Sequence, residues 1–249
     1  MEKFYDQLAD FYDIIYIDWN ESIAKQGDQL SSIISTHWSD SRNVLDVSCG
    51  IGTQCLALSN LGYSVTGSDI SENEVRRARQ EAKNRDLQVR FSVYDMRNLN
   101  PENESKFDLV ISCDNSIAHL LDDNDLSRAF ESMHDCLMPG GGCILSLRDY
   151  DAEPRGSNIY KPYGLRVKDD RRFCLYQIWD FNGDIYDLSF YFIAEDLSTK
   201  KVETHVFRSK CRALSYEHVI ELMKKAGFHD VHCQRDSFFQ PCILGTKPI

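Results

Sequence analysis

Short apolar runs that end on an acidic residue set the rhythm of this chain. Val44-Leu45-Asp46-Val47 opens through Ser48-Cys49 into Gly50-Ile51-Gly52 and then helix-compatible sequence, a pattern that predicts a strand, a tight turn and a helix start. Tyr63 to Ser68 repeats it and ends at Asp69, seventeen residues after Gly52. A helix is predicted from Ser71 to Arg85, opened by the capping-box pair Ser71 and Glu74. Val89 to Val93 then reads as a short strand ending at Tyr94-Asp95-Met96. Phe107 to Cys113 reads as a longer strand apolar enough to be buried on both faces. A helix from about Asp125 to Leu137, the turn Pro139-Gly140-Gly141-Gly142 and the strand Cys143 to Leu147 follow. Near the end, an amphipathic helix from Ser215 to Ala226 stops at Gly227. Phe228 to Cys233 and Cys242 to Thr246 are expected to pair as a closing antiparallel hairpin.

Alternation of this kind builds an α/β fold, a doubly wound and mostly parallel seven-stranded sheet whose ligands bind beyond the carboxyl ends of its strands. Asp46, Asp69 and Asp95 then line one edge. Between Tyr150 and Arg212 the period changes to two. Tyr186, Leu188, Phe190 and Phe192 alternate with Asp187 and Ser189, and Asn182-Gly183 supplies a hairpin turn. This inserted antiparallel β-meander reads either as a second small core or dimer surface, or as a lid over the strand ends; the lid is the reading adopted here. The expected division is an N-terminal aromatic helical segment over 1–40, a core over 41–149 and 213–249, and the insert over 150–212.

At 249 residues the chain suits one such domain with an insertion. A formal charge of −11 argues against a nucleic-acid backbone or an anionic membrane as partner and leaves a small molecule. Nine cysteines without a C-x-x-C pair, and no basic region followed by an apolar run at the N-terminus, point to reduced thiols in the cytoplasm and to no metal site. No transmembrane stretch is evident.

The glycine turn followed by a distant acid points to an adenosine-containing cofactor, the acid accepting from the ribose hydroxyls. A dinucleotide fingerprint needs a third glycine where this chain has Cys55. Asp46 would also repel a diphosphate, whereas it suits a ligand carrying an ammonium and a sulfonium. S-adenosylmethionine fits these residues better than NAD.

With Asp46 to Gly52, Asp69, Asp95-Met96 and Pro139-Gly140-Gly141 in order, residues 40 to 150 and 213 to 247 resemble the class I S-adenosylmethionine-dependent methyltransferases. The resemblance implies that Gly50 and Gly52 hold the methionine end of the cofactor, Asp69 the ribose, and Asp95 and Met96 the adenine. Asp46, Ile70, Cys113 and His119 join them as expected cofactor neighbours. The stretches Ile111 to Leu120, Leu147 to Asp151 and Ser157 to Tyr160 look more narrowly like glycine and glycine/sarcosine N-methyltransferases. Phe4 to Tyr12, continuing through Tyr16 to Trp19, is similar to the aromatic lid of their bacterial and archaeal members.

Carried over, that likeness implies that Asn115 and Arg148 grip the acceptor's carboxylate and that Tyr160 lies near the reacting centre. Tyr12, Trp19 and Lys25 would meet the cofactor. Animal members have a glycine in place of Asp114 and a different N-terminal segment, so regulation and oligomer type do not transfer, and monomer and homo-oligomer both stay open; Cys211-Arg212 stands where the family supplies an aromatic from the last meander strand.

The implied reaction is an in-line displacement by a neutral amine, which needs placement more than a nucleophile or metal. Arg148 is the natural clamp for a carboxylate, unless it pairs with its neighbours Asp149 or Asp151. His119 reads as a structural hydrogen-bonding residue rather than a base, and Tyr5, Tyr12, Tyr16 and Trp19 also suit an ordinary amphipathic helix face. An NAD-linked oxidoreductase, a silent cofactor-binding module and a methyltransferase for another amine or hydroxyl are the rival readings. The physiological role implied is glycine betaine synthesis or disposal of excess methyl donor.

Overall fold

The computed structural model describes residues 2–99 and 106–249. Two sheets organise the chain. The larger has seven strands: β1 (Asn43–Asp46), β2 (Ser64–Asp69), β3 (Val89–Val93), β4 (Phe107–Ser112), β5 (Leu137–Ser146), β10 (His229–Gln234) and β11 (Cys242–Thr246), in the order β10-β11-β5-β4-β1-β2-β3. β1 to β5 run parallel, and β11 lies antiparallel between β5 and β10. The strand order reverses between β1 and β4, so their carboxyl ends open the crevice where ligands bind in such sheets. Ser48 and Ser112 join hydroxyls across that point at 2.8 Å.

The helices expected after β2, after β4 and near the end all form, that after β4 starting two residues earlier than the sequence suggested. Ser71 caps α4 (Glu72–Asn84), Asp122 caps α5 (Asp123–Cys136) and Ser215 caps α6 (Tyr216–Lys225), each side chain accepting from the N–H three residues on. α3 (Thr53–Asn60) starts at Gly52. α1 (Glu2–Leu8) and α2 (Trp19–His37) precede the sheet, with a 3-10 turn at Tyr12–Ile15 between them. Asp6 of α1 accepts from the Ser71 hydroxyl (2.6 Å), which ties the N-terminal helix to the start of α4.

Pro139 to Gly142 falls within β5 but turns as expected: Gly140 adopts φ +80°, and Leu137 to Gly142 span only Phe107 to Leu109 of β4 before regular pairing begins. A Cβ on Gly142 would sit 2.3 Å from the Trp38 ring, and one on Gly141 would sit 2.8 Å from the Asp108 carbonyl. Glycine is there because a strand is covered closely from both sides. The final pair of strands is antiparallel as expected, although β11 inserts next to β5 and a loop separates it from β10.

The insert is a four-stranded antiparallel sheet of β6 (Ile159–Lys168), β7 (Arg171–Asn182), β8 (Ile185–Asp196) and β9 (Val202–Arg212). The turn between β7 and β8 is Gly183-Asp184, one residue later than the sequence suggested, with Asn182 paired to Ile185. Trp179, Tyr186, Phe190, Phe192 and Phe207 face inward and share one core with Phe4 and Leu8 of α1 and with β5. Phe11 packs at 5.9 Å on Phe192 and 5.7 Å on Phe207. Among the described residues no helix is long and apolar enough to cross a membrane.

Candidate active site

A slot runs along the ends of β1, β2 and β3. Gly50 adopts φ +51°, and its N–H donates to one Asp69 oxygen at 3.0 Å. The second Asp69 oxygen accepts from the Ser71 N–H at 2.9 Å. Asp69 therefore locks the glycine turn to α4 while standing in the slot wall with Ile70, Asp95 and Met96. Asp95 accepts from the Arg97 backbone N–H (2.9 Å) and guanidinium, which hold its carboxyl below the usual range despite partial burial. Tyr5, Tyr12 and His119 close the slot from above.

Glu74 borders the same slot and was not among the expected site residues. It is 1% exposed, and its Oε1 is buried without a hydrogen-bond partner among the described residues. Burial and the neighbouring Asp69 and Asp6 push its carboxyl well up. Its sequence signal was a capping box, but only half of one forms: the Ser71 hydroxyl takes the Glu74 N–H (3.2 Å), while the Ser71 N–H goes to Asp69. The Glu74 side chain is thereby released into the slot.

The wall tests the cofactor chemistry. Three carboxyls around a narrow cleft would oppose a diphosphate. An ammonium, a sulfonium and a ribose diol answer them, including the unpaired Glu74 oxygen. A side chain on Gly50 would meet Glu74 at 3.4 Å in a left-handed backbone, so the turn is kept bare for close approach. These residues fit S-adenosylmethionine.

Beyond Tyr12 and His119 the slot gives way to a cavity of about 570 Å³ between the sheet edge and the insert. Arg148 follows β5 and lies on its wall. The Arg148 N–H donates to Asn115 Oδ1 (3.1 Å), and Asn115 Nδ2 donates to the Tyr150 hydroxyl (2.7 Å), which meets the Tyr186 hydroxyl at 3.0 Å. Asn115 thus fixes the backbone of Arg148 and keeps one amide hydrogen to spare. The guanidinium lies over Trp179, meets Glu153 at 3.5 Å, and has a buried Nε without a hydrogen-bond partner among the described residues. Asp149 turns away to Arg235 (2.6 Å) and Asp151 is exposed, so neither neighbour takes up Arg148. Lys161 also lies over Trp179 and holds Glu153.

His119 is a connector. Its Nδ1 faces the Lys210 carbonyl (3.1 Å) and so carries the hydrogen; its Nε2 accepts from the Tyr5 hydroxyl (2.7 Å). Burial lowers its pKa to about 4, leaving a neutral ring whose lone pair is already taken.

Several expected site residues stand elsewhere. Asp46 is fully buried behind the turn, accepting from the Ser48 N–H (3.1 Å) and the Cys55 thiol (3.6 Å); it props the loop and does not reach the slot. Gly52 adopts φ +96°, and a Cβ there would crowd Ala78 at 3.3 Å, so it serves the approach of α3 to α4. Trp19 donates to Thr53 (2.9 Å) and lies 5.0 Å from Arg85, outside the slot. Lys25 is exposed on α2, its neighbour Gln26 being the residue that faces inward. Tyr160 is 57% exposed and packs on Tyr176, because alternation along β6 turns Ile159, Lys161 and Tyr163 inward instead. Tyr163 is the β6 tyrosine on the cavity wall. Cys113 lines a small recess between Gly50 and Asp114.

Residues 44–141 match the family described as "Methyltransferase domain". A glycine/sarcosine N-methyltransferase of Parasynechococcus marenigrum is 34% identical over 160 residues, 64% of this chain and 56% of that protein. The chain spans little more than half the length of the first curated relatives it matches. Among solved structures, DesVI of Streptomyces venezuelae superposes with a TM-score of 0.84 at 19% identity, covering 97% of this chain and 98% of that one. CalS10, an amino pentose methyltransferase from Micromonospora echinaspora solved with S-adenosylmethionine bound, does so at 0.79 and 16% identity, covering 91% and 92%. Residues 44–141 thus match a methyltransferase domain, and the chain as a whole shares the fold of solved S-adenosylmethionine-dependent methyltransferases, with the acid-walled slot beyond β1 to β3 in place.

Proposed function

We propose that this chain methylates the amine of glycine or sarcosine, with the acceptor's carboxylate held by Arg148. The observation that carries this reading is a cavity-facing guanidinium that, among the described residues, has an unpaired Nε and a single, loose carboxylate contact. A half-buried guanidinium in this state favours a planar anion that satisfies it bidentately. The glycine/sarcosine name of the Parasynechococcus marenigrum relative supports the same acceptor.

When bound, S-adenosylmethionine supplies an electrophilic methyl carbon. The chain's own part is placement. Asn115 fixes Arg148, Trp179 supports the guanidinium from beneath, and the clamped carboxylate aims the amine back toward the slot. Orientation of this kind contributes up to about 7–11 kcal/mol. Tyr5, Tyr12 and Tyr163 dry the space around the amine, and a less polar setting disfavours its charged form. The free thiols support a reducing compartment such as the cytoplasm. A role in betaine supply rests on the acceptor assignment.

A second reading has its own observation. The cavity's volume of about 570 Å³ falls among pockets for ligands much larger than glycine, and CalS10 is named for an amino pentose. Release of S-adenosylhomocysteine with glycine, sarcosine, dimethylglycine and an amino sugar offered separately tests both. Turnover on glycine or sarcosine supports the first reading, and turnover on the sugar alone supports the second. No turnover with cofactor bound sinks both.

A further inference from the structure

We infer that Asp114 receives the acceptor's ammonium group and takes its proton, an assignment that rests on the amine reading above. Asp114 follows β4 at the switch point, and it borders both the acceptor cavity and the small recess against Gly50. It stands where the two ligands' spaces meet. Asp114 and Asn115 have φ of +56° and +67°, consecutive left-handed residues that side chains rarely adopt. Two bonds to one residue hold them there: the Asp114 N–H donates to the Ser146 hydroxyl (2.7 Å) and the Asn115 N–H to the Ser146 carbonyl (3.1 Å). The backbone is pinned so that the carboxylate faces the cavity.

That carboxylate is poorly satisfied. It accepts from the Tyr12 hydroxyl at 3.5 Å and from Gln240 Nε2 at 3.3 Å, both long. Arg148, whose charge it feels across the cavity, pairs with Glu153 instead. A carboxylate on one side and a guanidinium on the other match the two charges of an amino acid.

The neighbouring groups leave Asp114 as the proton acceptor. Tyr5, Tyr12 and Tyr16 of the N-terminal segment, Tyr163 of β6 and the adjoining Cys113 all hold their protons more firmly than usual because they are buried. The His119 lone pair is occupied by Tyr5. In the step assigned, one ammonium N–H bond breaks, its electron pair stays on nitrogen, and an O–H bond forms on Asp114. The proton later passes from the carboxyl to water.

A latch joining Tyr12 to Gln240 is the competing role for Asp114, and Asp114→Asn separates the two because it keeps the shape and the oxygen. The experiment is calorimetric titration of the S-adenosylhomocysteine-bound protein with sarcosine and with methoxyacetate, which replaces the charged nitrogen by a neutral oxygen. The wild type should favour sarcosine, and Asp114→Asn should lose sarcosine affinity on the order of 30-fold. Affinities for methoxyacetate and for S-adenosylhomocysteine should stay within about twofold. Equal affinity of the wild type for both probes, or parallel loss of both in the variant, would overturn the assignment. Failure of the wild type to bind either probe, with S-adenosylhomocysteine bound, would overturn the carboxylated-amine reading beneath it.

Discussion

The Arg148 guanidinium lies 5.0 Å from the centre of the Trp179 ring, and the Lys161 ammonium lies at the same distance from that ring. One indole thus carries two cations, and Glu153 joins them. A cation over an aromatic face is stabilised by about 0.5–2 kcal/mol. Trp179→Leu is expected to raise the acceptor KM by about 2- to 30-fold while leaving cofactor affinity in place. Initial-rate kinetics with each substrate varied would read this, and an effect confined to cofactor affinity would contradict it.

Glu153 competes with any incoming carboxylate for Arg148. Glu153→Gln should therefore lower the acceptor KM, Lys161 then adding to the positive field of the cavity. A raised KM in that variant would mean that Glu153 positions the clamp rather than opposing the acceptor.

Much of this was legible in the chain. Strands of a doubly wound sheet end at turns, so the acids at Asp69 and Asp95 marked the slot, and Ser71 and Ser215 marked helix starts that form. What escaped depended on register and on competition between partners. Tyr160 and Tyr163 are both tyrosines on one strand, and only the pairing of β6 with β7, irregular between Pro162 and Gly164, decides which faces inward. Glu74 carried a capping signal that Asp69 overrode. The turn at Gly140 was legible, but the need for glycine at Gly142 was not, because the Trp38 ring that covers it comes from a distant part of the sequence.

Two buried groups give opposite pH signatures. Asp46 is raised to about 7 by burial from a usual 3.8, so its contribution is fully present below about pH 4 and is lost as pH rises to 7. At 1.36 kcal/mol per unit this amounts to about 4 kcal/mol. Asp46→Asn should remove that decline, and denaturant melts of both proteins at pH 5 and pH 8 would show it as a relative gain at pH 8. No pH-dependent difference would contradict the buried-carboxyl account.

His119 is lowered from 6.5 to about 4, so its contribution is present above about pH 6.5 and is lost as pH falls toward 4. The total is about 3 kcal/mol. Its window overlaps that of Asp46 with the opposite sign, so the wild type should show little net slope from the pair. His119→Gln removes this contribution alone, so the wild type should lose stability relative to that variant between pH 6.5 and pH 4, and a constant difference between the two would show that the imidazole does not resist protonation.

The most direct test of the central claim is the ratio of kcat/KM for glycine to that for glycinamide, which keeps the amine and removes the acceptor's negative charge. Loss of a buried, hydrogen-bonded charge pair costs about 2–5 kcal/mol. The account predicts a preference for glycine of about 30-fold or more, lost when Arg148 is replaced by alanine. Comparable turnover of the two in the unchanged protein would show that the guanidinium does not hold a carboxylate during methyl transfer.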